Sequence, residues 1–167
     1  MIVCRPFAPE YARELARMLA EMAVSYGAVI EPGINTEDAL TRHARACEFL
    51  LAFKDERLAG FATFATLFPV GGLLAFLYVQ QVYVAASERR SGVARCLMAG
   101  IALEAKRRRL QRVEWATSTR NTAARALYDS LGAVGAPKVQ YVLDGDALSS
   151  LAFDGGTALA ISDGPAA

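Results

Sequence analysis

The chain has 167 residues, which suits one domain with a core large enough to stand without disulfide staples. Hydrophobic residues make up 54%, much of it alanine, and a formal net charge of +1 argues against a broadly basic nucleic-acid binder. The apolar stretch Leu73–Val84 is interrupted by Gln80 and Gln81 and is too short to span a bilayer. Met1–Arg5 also lacks the pattern of a signal peptide, so a cytoplasmic protein with no membrane partner is expected.

Ile2–Arg5 reads as a first strand. Pro9 opens a helix whose apolar positions Tyr11, Leu15, Met18, Leu19 and Met22 fall three and four apart, with Gly27 as its stop. Ala28–Asn35 is a loop, and a second helix is expected from Thr36 to Cys47 with Asn35 or Thr36 as its cap. The period then changes. Phe49–Phe53, Leu58–Phe68 and Leu73–Val84 are three apolar runs joined by short turns, which predicts three antiparallel strands. Alternation places Tyr78, Gln80 and Val82 on one face of the last of them. Val93, Leu97, Ile101 and Ala105 line a helix, Arg112–Thr117 a strand, Asn121–Leu131 a helix, and Lys138–Leu143 a last alternating strand. The expected architecture is one α/β (α+β) domain over residues 1–148, with a mixed, mostly antiparallel sheet flanked by helices. Residues 149–167 form a Gly-, Ala- and Ser-rich extension expected to be partly disordered.

Cys4, Cys47 and Cys96 are far apart and lack metal spacing, so they read as reduced thiols packed as small apolar residues, with no metal. His43 lies among arginines and reads as a surface residue. The run Lys106–Arg109 falls in the last turn of a helix, where cations complement the helix dipole; this is preferred over a nucleic-acid contact.

The turn Arg89-Arg90-Ser91-Gly92-Val93-Ala94 is the feature that carries chemistry. A helix N-terminus offers unsatisfied N–H groups and partial positive charge, and a glycine before it lets the backbone approach a phosphate. Arg89, Arg90 and Arg95 add charge beside it. Such a string also occurs where a chain merely turns. Asn121 follows Gly92 by 29 residues, and Ala124, Leu127, Tyr128 and Leu131-Gly132 follow at helical spacing. By spacing alone Tyr128 reads either as a core tyrosine or as a proton donor, and Asn121 either as a helix cap or as a ligand contact. A phosphate cradle followed by a phenol suggests a nucleotide-bearing thioester and acyl transfer from coenzyme A.

Together these residues resemble the GCN5-related N-acetyltransferase (GNAT) superfamily. Arg89, Gly92 and Ala94 match its Q/R-x-x-G-x-G/A loop, and Asn121, Ala124, Leu127, Tyr128 and Gly132 match its N-x-x-A-x-x-L-Y-x-x-x-G helix. The resemblance covers roughly residues 1–145 and implies an acetyl-CoA-dependent transfer to a primary amine of a small molecule. It implies that Val82 and Val84 pair their backbone with the pantetheine arm, where two strands splay apart. The amides of Arg90, Gly92, Val93, Ala94 and Arg95 would hold the pyrophosphate, Asn121 would contact coenzyme A, and Tyr128 would protonate the leaving thiolate. Leu77–Val84 is similar to the diamine and polyamine acetyltransferases, but those carry acids where Gln80 and Gln81 stand. That departure puts a polyamine substrate and a strand-borne base in doubt. Tyr78, Gln80 and the loop carboxylate Glu31 remain the candidate acceptor contacts. A homodimer is implied by analogy alone. The rivals are a non-catalytic acyl-CoA sensor and an acetyltransferase acting on a protein or peptide.

Overall fold

The computed structural model describes residues 1–30, 35–43 and 46–153. They fall in two compact units, Met1–Ala133 and Val134–Ala167.

The first unit is built on a five-stranded sheet in the order β1 (Ile2–Pro6), β2 (Glu48–Lys54), β3 (Arg57–Val70), β4 (Leu74–Val84) and β5 (Val113–Trp115). The first four strands are antiparallel neighbours, and β5 runs parallel to β4, as a crossover through a helix requires. On one face lie α1 (Ala12–Ser25) and α2 (Thr36–His43), whose Leu15, Met18 and Leu40 pack with Leu51, Phe53, Phe61 and Tyr83. On the other lies α3 (Val93–Arg107), whose Val93, Leu97, Ile101 and Ala105 cover Ala52, Ala62, Phe64, Leu77 and Val79. A side chain at Gly60 would meet the Tyr83 carbonyl oxygen at 2.6 Å and Val93 at 3.0 Å. The bare backbone there lets the start of α3 settle onto the sheet.

The Asn35 cap is present: its Oδ1 accepts from the Glu37 amide at 2.9 Å. However, α2 ends at His43, not Cys47. The Ala46 amide turns back to the His43 carbonyl at 2.9 Å, and Glu48 is already paired with Phe64 in the sheet. Strand β5 is likewise shorter than Arg112–Thr117, with three ladder pairs from Leu77–Val113 to Val79–Trp115.

The shared face of Tyr78, Gln80 and Val82 is overturned. Thr63 pairs with Gln81 and Phe64 with Val79, so Gln80 is an extra residue, a β-bulge that shifts the alternation. Val82 and Val84 therefore join Leu77 and Val79 on the α3 side.

Helix α4 (Thr122–Ser130) closes this unit. Its end is a Schellman turn: Gly132, at φ +79°, donates to Asp129, and Ala133 donates to the Tyr128 carbonyl at 3.1 Å. The glycine after the tyrosine thus serves to stop the helix.

In the second unit, α5 (Gly145–Phe153) is helical, and no strand forms over Lys138–Leu143. Alternation states which side chains share a face. It does not supply a neighbouring strand, and no ladder forms among these described residues.

Candidate active site

The site is built where β4 outruns β5. Ladder pairing on that side stops at Val79–Trp115, while β4 continues to Val84 against β3 alone. Strand β5 ends there, and Gln80 sits exposed at the bulge just past the last pair. Val82 and Val84 lie in the stretch that pairs with β3 but has no partner on the β5 side, and their side chains are half-buried against α3.

The chain leaves β4 through one 3-10 turn, Ala86–Glu88, and enters the 89–92 turn. Several contacts hold this corner. The Ser91 hydroxyl donates to the Glu88 carbonyl at 2.7 Å, and Glu88 pairs with Lys54 at 2.8 Å. From below, Glu21 of α1 accepts from the Tyr83 hydroxyl at 2.8 Å, and the Ala86 amide lies 3.5 Å from the same oxygen. Arg90 and Gly92 both take left-handed backbone, at φ +61° and +92°. For arginine this conformation is uncommon, and such outliers concentrate where a backbone is shaped for a ligand.

Gly92 is the N-cap of α3, and no side chain caps the helix. The amides of Val93, Ala94 and Arg95 point off the helix end without intrahelical acceptors. Arg89, Arg90 and Arg95 form no ion pair with a carboxylate among the described residues. An uncapped helix start, two left-handed residues before it and three arginines without a carboxylate partner among the described residues are features with which a backbone can receive an anion.

Tyr128 stands on α4, linked to this helix end. Arg95 donates to the Ser130 hydroxyl at 2.7 Å, and Ser130 donates in turn to the Leu127 carbonyl at 2.6 Å. The Tyr128 ring packs edge-on against Trp115 at the end of β5, with centroids 5.1 Å apart. Its hydroxyl has no hydrogen-bond partner among the described residues and is not sealed from solvent. Burial of the ring, and secondarily the nearby Tyr26, holds its pKa above the ordinary tyrosine value. It is therefore a protonated phenol at neutral pH, free to donate.

Asn121 caps α4, its Oδ1 accepting from the Ala124 amide at 3.1 Å. Its amide group remains available to a ligand carbonyl. Tyr78 is half-buried opposite Glu114 in the ladder. Glu31 lies outside the described residues.

Glu21 and Trp115 were not legible as site residues. Glu21 sits beside Met18 and Met22 in an amphipathic pattern and looks like any rim acid. Trp115 matters because its strand stops there, a tertiary fact. A depression of about 260 Å³ lies between α1 and the start of β3, lined by Glu14, Arg17, Glu21 and Arg57 among others, and includes neither Tyr128 nor the 89–95 turn.

The sequence profile of the Acetyltransferase (GNAT) family matches residues 15–133, spanning everything from α1 to the end of α4. The chain belongs to that family. It is accordingly an acetyltransferase acting on amines. It is 29% identical over 152 residues to a thialysine N-epsilon-acetyltransferase of Caenorhabditis elegans, an alignment covering 86% of this chain and 92% of the relative. Its fold is shared with a ribosomal-protein-alanine N-acetyltransferase from Brucella melitensis biovar Abortus 2308, at a TM-score of 0.71 and 24% identity over 87% of this chain and 100% of that one. It is also shared with a predicted acetyltransferase from Clostridium acetobutylicum solved with acetyl-CoA, at 0.66 and 19%, covering 85% and 96%. Among the described residues no helix is long and apolar enough to cross a membrane.

Proposed function

We propose that this GNAT protein moves an acetyl group from acetyl-CoA directly to the primary amine of a small molecule. The observation that carries the reading is the union of two features. An uncapped, arginine-flanked helix start suits the pyrophosphate of coenzyme A. The helix that carries a protonated Tyr128 is tied back to it by the Arg95–Ser130 hydrogen bond. The likeness to a thialysine acetyltransferase supports a small amine acceptor.

The steps follow from the placement of the residues. The pantetheine arm enters the splay and pairs with the free side of β4 near Val82 and Val84. The amine nitrogen attacks the thioester carbonyl carbon, and a backbone N–H at the β4 bulge stabilises the oxyanion. Collapse breaks the C–S bond, and the coenzyme A thiolate takes the Tyr128 phenolic proton. Gln80, exposed at the bulge, orients a water that carries the ammonium proton to solvent, since a glutamine cannot take it, and the Tyr128 phenolate regains its proton from solvent. Most of the acceleration comes from positioning.

Titration calorimetry with acetyl-CoA and coenzyme A tests the donor site first. Micromolar binding is the expected result, followed by thiol release with a small-amine panel. Absence of binding in folded protein removes the reading. Binding with no release on any amine turns it into an acyl-CoA sensor, and release only with peptides moves the acceptor to the protein class.

A further inference from the structure

Cys4 and Cys96 are 92 residues apart in sequence, yet the fold brings their sulfurs to 3.0 Å. Cys4 lies in the middle of β1, opposite Ala52 in the ladder. Cys96 is in the first turn of α3, where its amide donates to the Gly92 carbonyl at 3.0 Å. A Cβ built at Gly100 would lie 3.7 Å from the Cβ of Cys4. Positions 96 and 100 are one helical turn apart on a single face, so Cys4 projects onto that face of α3. Small residues on both sides bring strand and helix together at close range.

A disulfide holds its sulfurs roughly 2.05 Å apart, so closing this pair requires a shift of about 1 Å, divided between two elements. Both thiols are half-buried. Burial first, and then the contact with Cys96, pushes the Cys4 thiol up to about 12. Cys4 thus keeps its proton at neutral pH. Cys47, the third thiol, packs elsewhere, near the end of α2, and serves as an internal control.

We propose that Cys4 and Cys96 form a reversible disulfide that cross-links β1 to the first turn of α3. The oxidant class is a hydroperoxide. The Cys96 thiolate attacks the terminal peroxide oxygen, the O–O bond breaks, and the product is a sulfenic acid with an alcohol or water. The Cys4 sulfur then attacks the Cys96 sulfur. The S–S bond forms, the S–O bond breaks, and the Cys4 proton leaves with the departing hydroxide as water. Two thiols lose two electrons and two protons; the electron pair cleaves the peroxide O–O bond, and the protons end on its two oxygens. The second step is favoured by contact, since Cys4 is a reluctant nucleophile. The bond pins the same helix start whose amides face the 89–92 turn. It closes a long loop, which restricts the unfolded chain most.

The test uses the full chain treated with hydrogen peroxide, followed by thiol counting after denaturation and peptide mapping under non-reducing conditions. The expected result is a fall from three titratable thiols to one, with Cys47 still free and a Cys4–Cys96 peptide present. Dithiothreitol restores three. The oxidised protein should melt roughly 5–10 °C higher. Cys4→Ser and Cys96→Ser should each lack both the cross-link and the rise. Three thiols after treatment of folded protein overturn the proposal, as does thiol loss to sulfinic acid or intermolecular bonds without a Cys4–Cys96 peptide. The mapping on the natural chain decides the matter even if a serine variant fails to fold.

Discussion

Helix α3 carries arginines at both ends, and their surroundings are opposite. At its C-terminal end Arg108 is held by Glu48 and by Glu104 at 2.8 Å, with Arg107 also on Glu104. These charges are compensated, and the Glu104 carboxyl is pulled below its ordinary range chiefly by its hydrogen bond to Arg108. At the N-terminal end Arg89, Arg90 and Arg95 have no such acids among the described residues, and two residues of the turn hold left-handed backbone. The denser basic run is the structural one. The sparser one, where the anion site is proposed, is the one without carboxylate partners among the described residues, so partnering and not local density distinguishes the two ends.

The largest effect expected at the N-terminal end is on chemistry. Tyr128→Phe should lower kcat about 100-fold while leaving coenzyme A affinity within about twofold, because the phenol acts on the leaving thiolate and not on the nucleotide. Steady-state kinetics beside calorimetry reads the split; equal losses in both would make Tyr128 a binding residue.

Gly92→Val comes next. A β-branched residue at φ +92° strains the turn, and its Cβ would also contact Ile2 at 3.7 Å. Strain of about 1–2 kcal/mol, added to a reshaped cradle, should weaken coenzyme A binding about tenfold or more. Unchanged affinity would leave the turn as a turn.

Swapping the charges sharpens the contrast. Arg89→Ala with Arg90→Ala should weaken coenzyme A binding several-fold and flatten its salt dependence. Arg108→Ala should leave binding alone and lower stability by about 1 kcal/mol in urea unfolding, since its pairs are only part-buried. If Arg108→Ala weakens coenzyme A as much as the double variant does, the comparison between the two ends collapses.

The smallest effect is on pH dependence. Burial is the first cause that raises the pKa of both Tyr83 and Tyr128, with a Glu21 hydrogen bond second for Tyr83. The unfolded chain ionises these two tyrosines near pH 10, before the folded one does. Their contribution is thus complete below about pH 10 and is lost as pH rises through the higher folded values. Melting temperature should decline above that point, and Tyr83→Phe should shallow the decline.

The sequence carried the motifs because each depends on neighbours in the chain. Asn35 and Asn121 cap the helices they precede, Gly92 sits where the turn needs left-handed backbone, and Gly132 stops α4. Helix periodicity located Leu15, Leu97 and Ile101 in the core for the same reason. Tertiary structure alone decided the rest. The bulge at Gln80 arises from register against β3 and reversed which side chains share the Val82 face. The strand expected at Lys138–Leu143 lacked a neighbour, since a ladder needs a second edge that no local pattern specifies. Glu21 meeting Tyr83, Arg95 meeting Ser130 and Cys4 meeting Cys96 join residues 62, 35 and 92 positions apart. Periodicity fixes which face of an element turns inward, but only the packing of whole elements fixes what that face meets.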